Sequence, residues 1–220
     1  MDWMAAGVTL RLAAWTTGVL LVIGLPLAYW LATTRFPGRG VIEALVTLPL
    51  VLPPTVVGFY LLVATGPEGL LGRFLSLMGV DRLAFTFPGI VLGSVVFNLP
   101  FAVRPFTAAF ESVDRRLVEA AWCLGVPRWR TFWKVVLPLS WPGILTGIVL
   151  SFAHSLGEFG VVLMVGGNIP GVTRTLSIAI YDEVQALNYA AADRMALALV
   201  GFALAVLSLT YLLQRKVVRR

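Results

Sequence analysis

Five apolar stretches constrain this chain more than any other feature. They run roughly over 12–32, 41–64, 88–109, 141–165 and 195–213. Each meets the ~20 residues that a helix needs to cross a bilayer. Of 220 residues, 59% are hydrophobic and 13% charged, and mean hydropathy is +0.89. A soluble domain carries about 25% charged residues. The apolar side chains therefore face lipid in several helices rather than filling one buried globule. The expected fold is all-α: a polytopic membrane protein of five transmembrane helices, forming a single domain over residues 1–220. The first stretch is too long for a signal peptide. Asp2 and one Arg precede it and no small-x-small cleavage site follows, so a retained span is expected. A lone cysteine, Cys123, rules out an internal disulfide.

Several spans carry residues that plain anchors do not need. Pro49, Pro53 and Pro54 fall within the second. Proline removes a backbone donor and bends a helix, which a bilayer tolerates where protein or a cavity covers the freed carbonyls. Two readings stand for this stretch, a kinked packing helix and a bent helix beside a solute pathway. The third span contains Asn98, Pro100 and Arg104. Arg104 is placed to snorkel to headgroups, and Asn98 needs a partner in the bundle or a wet path. The fourth contains Ser151, His154, Ser155 and Glu158. His154 and Glu158 stand at i, i+4 and would share a helix face. They mark either a functional site at membrane depth or a polar knot between helices. Glu158 also fits near the surface if the span ends early.

The connections are informative too. Residues 33–40 read as a tight turn, and 65–87 as a loop with a weakly amphipathic piece over 70–80. Asn168-Ile169-Pro170-Gly171 is strong turn chemistry. Ile178, Tyr181, Asp182 and Gln185 would lie along a short helix after it. The longest polar interruption is LVEAAWCLGVPRWRTFWKVVLP, residues 117–138. Leu117, Ala120, Ala121 and Leu124 recur at helical spacing, with Ser112 as the expected cap and Asp114 suited to the helix dipole. Gly125 can take the left-handed conformation that ends a helix, and Pro127 suits the start of the next. Trp129, Phe132, Trp133 and Val136 form a second stripe flanked by Arg128, Arg130 and Lys134, as on a helix lying in the membrane interface. The segment reads as helix, hinge, helix: a docking device, or a plain hairpin with no partner.

Glu119-Ala120-Ala121, three residues, Gly125, nine residues, Val135, one residue, Leu137-Pro138 resembles the EAA signature of permease subunits of ABC importers, with Val135 in place of Ile. The resemblance implies a type I ABC importer permease fold and a cytoplasmic coupling segment, about 111–138, seated in a cleft of the ATP-binding subunit. Ser155-Leu156-Gly157-Glu158-Phe159-Gly160 and the Asn168–Gly171, Thr173-Arg174-Thr175 region are similar to molybdate/tungstate-type members, with His154 where some relatives carry Arg. This implies a homodimer, two ATPase subunits and an extracytoplasmic oxyanion-binding protein. The last would be faced by Asn168, Pro170, Gly171, Thr173 and Arg174. Sulfate or thiosulfate is the near alternative substrate. Pathway candidates are Pro53, Pro54, Thr55, Asn98, Ser151, His154, Ser155 and Glu158. Hydroxyls and amides there, with Ser94, could offer donors to a tetrahedral dianion.

Charge placement gives an orientation. Arg35, Arg39, Arg115, Arg116, Arg128, Arg130, Lys134, Arg215, Lys216, Arg219 and Arg220 fall on one side of a five-span chain. Only Arg11, Arg73, Arg82, Arg174 and Arg194 fall on the other. The richer side is expected in the cytoplasm, with the N-terminus outside and the C-terminus inside. Orientation thus accounts for the net charge of +6, and nucleic acid is not expected as a partner. Neither lysine, Lys134 or Lys216, sits in a phosphate-binding loop, so ATP hydrolysis is expected on a separate subunit. No cofactor or metal is expected. A passive channel would need no docking segment. A hydrolase built on His154 and Glu158 would lack the usual three metal ligands.

Overall fold

A computed structural model describes residues 1–77, 79 and 82–218, and among them the regular structure is entirely helical. By length and hydropathy five helical stretches can cross a membrane: Trp3–Thr33, Pro54–Phe74, Phe87–Glu111, Arg128–Leu156 and Tyr189–Ser208. The protein is a multi-pass membrane protein of five crossings.

Helix α1 (Trp3–Thr33) begins nine residues before the expected span, because Asp2 caps it by accepting from Ala5 N at 2.9 Å. The expected second span, 41–64, is two helices, α2 (Arg39–Val51) and α3 (Pro54–Thr65). They part at Leu52 and Pro53, where consecutive prolines supply no N–H to continue the ladder. The crossing stretch shifts accordingly to Pro54–Phe74, through α4 (Leu70–Leu77). This last is the amphipathic piece of the loop; Met78 and Val80 lie outside the described residues.

The centre of the bundle is α5 (Phe87–Glu111), capped by Thr86, whose Oγ1 accepts from Gly89 N at 3.2 Å. Phe106 of α5 is fully buried with Leu20 and Leu31 of α1 and Ile144 of α8 (Leu137–Leu156). Two glycines let α8 approach closely: a Cβ on Gly143 would sit 2.5 Å from Ala109 Cβ, and one on Gly147 2.5 Å from the Phe106 ring. Small residues at four-residue spacing give membrane helices this intimacy.

Between α5 and α8 lie α6 (Arg115–Cys123), α7 (Arg128–Thr131) and a π-helical turn, Phe132–Val136. The expected separate interfacial helix is instead the first part of the fourth crossing, since α7 runs through the π turn into α8. The fourth crossing then stops at Leu156 rather than 165. Residues 157–159 are non-helical, and α9 (Gly160–Gly166) follows. The expected short helix is α10 (Leu176–Gln185), with Ile178 buried in the core. The last helix, α11 (Tyr189–Val218), starts six residues before the expected 195. Arg219 and Arg220 of the basic tail lie outside the described residues.

Polar ties sort the connections onto two ends of the bundle. Arg39 bridges Glu43 and Glu111, each at 2.6 Å, so the first connection sits beside the docking segment. At the opposite end Leu176 N donates to Thr9 Oγ1 at 2.8 Å, and Arg174 lies 3.8 Å from Asp2. The N-terminus and the loop after the fourth crossing therefore share a side, as alternating crossings require.

Candidate functional site

The docking hairpin is built locally. Asp114, not Ser112, caps α6, accepting from Arg116 N at 2.9 Å; the Ser112 hydroxyl donates back to Ala109 O. Gly125 has φ +75°, as its place in the sequence requires. Its N–H reaches Trp122 O at 2.9 Å and the Val126 N–H reaches Ala121 O at 3.0 Å. These paired bonds form the Schellman closure of a helix C-terminus. Helix α6 buries none of its residues. Leu117, Ala120 and Leu124 are exposed, Ala121 is half-buried, and Glu119 pairs with Arg115 at 3.3 Å on the surface. Of the second stripe, Val136 is buried, whereas Trp129 and Trp133 remain exposed.

The end of the motif has its own geometry. Pro138 cannot donate to Lys134 O, so the helical register slips by one residue. The Leu137 N–H bonds to Phe132 O instead, and a π turn results. Val135 and Leu137 are half-buried and Pro138 is exposed. The turn places the Phe132 ring 4.8 Å from Tyr29 of α1, edge to face, and 6.2 Å from Phe110 of α5. The root of the hairpin is thereby packed into the core of the bundle.

A second constellation lies where two of the expected spans are broken. The sequence suggested that His154 and Glu158 share a helix face; instead α8 ends between them and Glu158 sits in the non-helical link. It is nonetheless buried, 4% exposed. Ser94 Oγ donates to Glu158 Oε2 at 2.5 Å, and Asn98 Nδ2 donates to the same oxygen at 3.0 Å. Asn98 Oδ1 meets His154 Nδ1 at 2.8 Å. The His154 ring stacks on Phe101, with centroids 3.9 Å apart. Glu158 Oε1 is buried without a hydrogen-bond partner among the described residues. Asn98 thus joins His154 to Glu158, and Ser94 and Asn98 together fasten the link to α5 through Glu158.

The bend at Pro53 and Pro54 lies against the same link. A Cβ on Gly160 would come within 2.8 Å of Pro54 Cβ, so only glycine fits the approach. Pro53, Pro54 and Thr55 are exposed in the single chain. Ser151 and Ser155 are buried, but their hydroxyl hydrogens go to Gly147 O and Ser151 O of their own helix. Ser94 is the member that the sequence marked least; its i, i+4 spacing from Asn98, mirroring His154 and Glu158, was the available signal.

In the loop after the fourth crossing, Asn168 Nδ2 donates to Asp182 Oδ2 at 2.8 Å and Arg174 pairs with the same carboxylate at 3.0 Å. Pro170 and Gly171 are exposed at the tip. Thr173 is fully buried, donating to Gly166 O and accepting from Ile169 N, so it shapes the loop from inside.

Residues 24–220 match the family model described as binding-protein-dependent transport system inner membrane component. The chain is 50% identical over 210 residues to the molybdenum transport system permease protein ModB of Azotobacter vinelandii, covering 96% of this chain and 93% of that one. It is 35% identical over 185 residues to the probable sulfate transport system permease protein cysT of Chlorokybus atmophyticus, covering 84% and 64%. Among solved structures, the MetNI methionine ABC transporter in an inward-facing conformation superposes with a TM-score of 0.77 at 19% identity, covering 99% of this chain and 96% of that one. This last similarity concerns the fold.

Proposed function

This chain belongs to the family of binding-protein-dependent transport system inner membrane components, and we propose that it is the permease subunit of an importer for molybdate, driven by ATP hydrolysis on a partner. The substrate class rests on the 50% identity to a molybdenum permease over nearly the whole of both chains. Tungstate, also a tetrahedral dianion, fits the same reading. Sulfate or thiosulfate is the second reading, favoured by the more distant sulfate permease.

One observation carries the coupling. Helix α6 and its cap leave Leu117, Ala120 and Leu124 exposed on one face, and no residue of α6 is fully buried within its own chain. A stripe of small and aliphatic residues, left open beyond the bundle, suits insertion into a cleft of an ATP-binding subunit. The proposed contacts are Glu119, Ala120 and Ala121, with Gly125 setting the turn and Val135, Leu137 and Pro138 the root. Force reaching α6 would pass through Phe132 to Tyr29 and Phe110, and so to α1 and α5. Because α5 carries Ser94 and Asn98, it would take the Glu158 link and the adjoining Pro53–Thr55 bend with it. That is a rigid-body switch between discrete packed states. In this reading nucleotide binding closes the ATPase pair and turns the pathway from inward- to outward-facing.

Two copies of the chain would enclose the pathway. Its edge would be formed by the paired helix breaks, with Pro53, Pro54, Thr55, Asn98, His154 and Glu158. The basic docking side is assigned to the cytoplasm. Asn168, Pro170, Gly171 and Arg174 would then face an oxyanion-binding protein outside. The deciding experiment is uptake of labelled molybdate and sulfate into vesicles holding the complex and its binding protein. ATP-dependent accumulation of molybdate is expected. Uphill accumulation without the ATPase, or of sulfate alone, would overturn the reading.

A further inference from the structure

A groove of about 990 Å³ runs between α1 and the root of the docking hairpin. Its wall includes Leu21, Leu25 and Pro26 on one side and Phe132, Trp133 and Val136 on the other. We propose that it holds one acyl chain of an anionic phospholipid, with the lipid phosphate on Arg128.

The shape suits a chain better than a compact ligand. On α1 the groove extends from Thr33 to Leu21, about 18 Å at the helical rise. Its mouth lies beside the hairpin and its far end is well inside the apolar crossing. A water-soluble partner docking on α6 cannot reach that depth. Pro26 also leaves the Val22 carbonyl without its usual helical donor, and Val22 is 74% exposed. Trp129 and Trp133, 62% and 61% exposed, stand near the mouth, as aromatic side chains do at headgroup level.

Charge selects the headgroup. Three charged residues line the mouth region: Glu111, Arg115 and Arg128. Glu111 is held by Arg39 at 2.6 Å and Arg115 by Glu119 at 3.3 Å. Arg128 has no carboxylate partner among the described residues; its guanidinium lies 5.6 Å over the Trp122 ring. The rim therefore offers one uncommitted, stacked guanidinium, whose fork matches a phosphate diester. Basic sites between membrane helices are suited to anionic headgroups in this way.

The test uses the full chain in nanodiscs of equal parts phosphatidylglycerol and phosphatidylcholine, followed by delipidation in mild detergent and native mass spectrometry. One phosphatidylglycerol per chain should be retained in preference to phosphatidylcholine. Arg128→Gln should weaken that retention roughly fivefold, the effect of one basic residue at an anionic surface, and Arg128→Lys should largely keep it. Ala32→Trp, which obstructs the groove beside its mouth, should abolish retention, while Arg35→Gln, an exposed arginine outside the groove, should not change it. Equal retention of the two lipids, or an Arg128→Gln chain indistinguishable from wild type, would overturn the proposal. So would a disulfide between two copies of a Val22→Cys chain, which would assign the groove to a second protomer. Should Ala32→Trp fail to fold, the lipid preference of the wild-type chain and of Arg128→Lys still decides. The readout involves no transport, so failure of the import reading would leave it standing.

Discussion

Asn98 donates to Glu158 across 3.0 Å, joining the middle of α5 to the link that follows the fourth crossing. The oxygen of the same amide accepts from His154 Nδ1 at 2.8 Å. One side chain thereby holds His154 of α8 and Glu158 of the link after it, two polar groups that do not share a helix.

Removing the carboxylate should expose the cost of that arrangement. Glu158→Ala strands the Ser94 hydroxyl in a buried site, at about 1–3 kcal/mol for an unpaired donor, and leaves Asn98 Nδ2 with only the Ser94 carbonyl and hydroxyl oxygens. Glu158→Gln keeps an oxygen acceptor and should lose less. The expected order of thermal midpoints in detergent is wild type, then Gln, then Ala. Equal midpoints for all three would mean that the link is held by packing alone.

Transport by Glu158→Gln separates anchoring from a role in the pathway. If Glu158 only fastens the link, a chain of near-normal stability should transport normally. If the carboxylate belongs to the moving pathway, uptake should fall while stability holds. Uptake measured beside thermal unfolding makes the distinction.

At the docking hairpin, Gly125→Ala should cost about 1–2 kcal/mol locally, because an L-residue is forced to a left-handed φ. Gly125→Asp adds a charge at the same surface. Uptake should drop and the ATPase should cease to follow ATP-driven transport, with membrane insertion unchanged. Normal uptake together with normal retention of the ATPase on purification would remove the hairpin from the coupling path.

Orientation can be read from the native thiol. Cys123 is exposed at the end of α6 and is the single cysteine. A membrane-impermeant maleimide should label it in inverted vesicles and not in intact cells, and ATPase binding should protect it. Labelling from outside the cell would reverse the topology.

Between α5 and α8 the glycines are there for contact. Gly147→Val places branched carbons against the Phe106 ring and should cost about 1–3 kcal/mol, more if the helices must part. A thermal midpoint equal to wild type would show that α8 does not need so close an approach.

Much of this molecule was determined by sequence alone, where the cause is local. Long apolar runs force helices in lipid; Gly125 closes α6 because only its own φ and the neighbouring carbonyls are involved. Consecutive prolines guaranteed a bend near residue 53, though not that it would divide the second stretch and shift the crossing to Pro54–Phe74. Other features required the assembled bundle. His154 and Glu158 at i, i+4 predicted one face, and the break at 157–159 followed from what the fold offered: Ser94 and Asn98 on α5 supply donors to the carboxylate, and the Pro54 bend receives Gly160. Thr173 illustrates the same limit, since whether a loop hydroxyl turns outward or closes its own loop depends on the carbonyl it meets. Backbone chemistry is written residue by residue, whereas a buried polar side chain goes wherever the packed helices provide its partner.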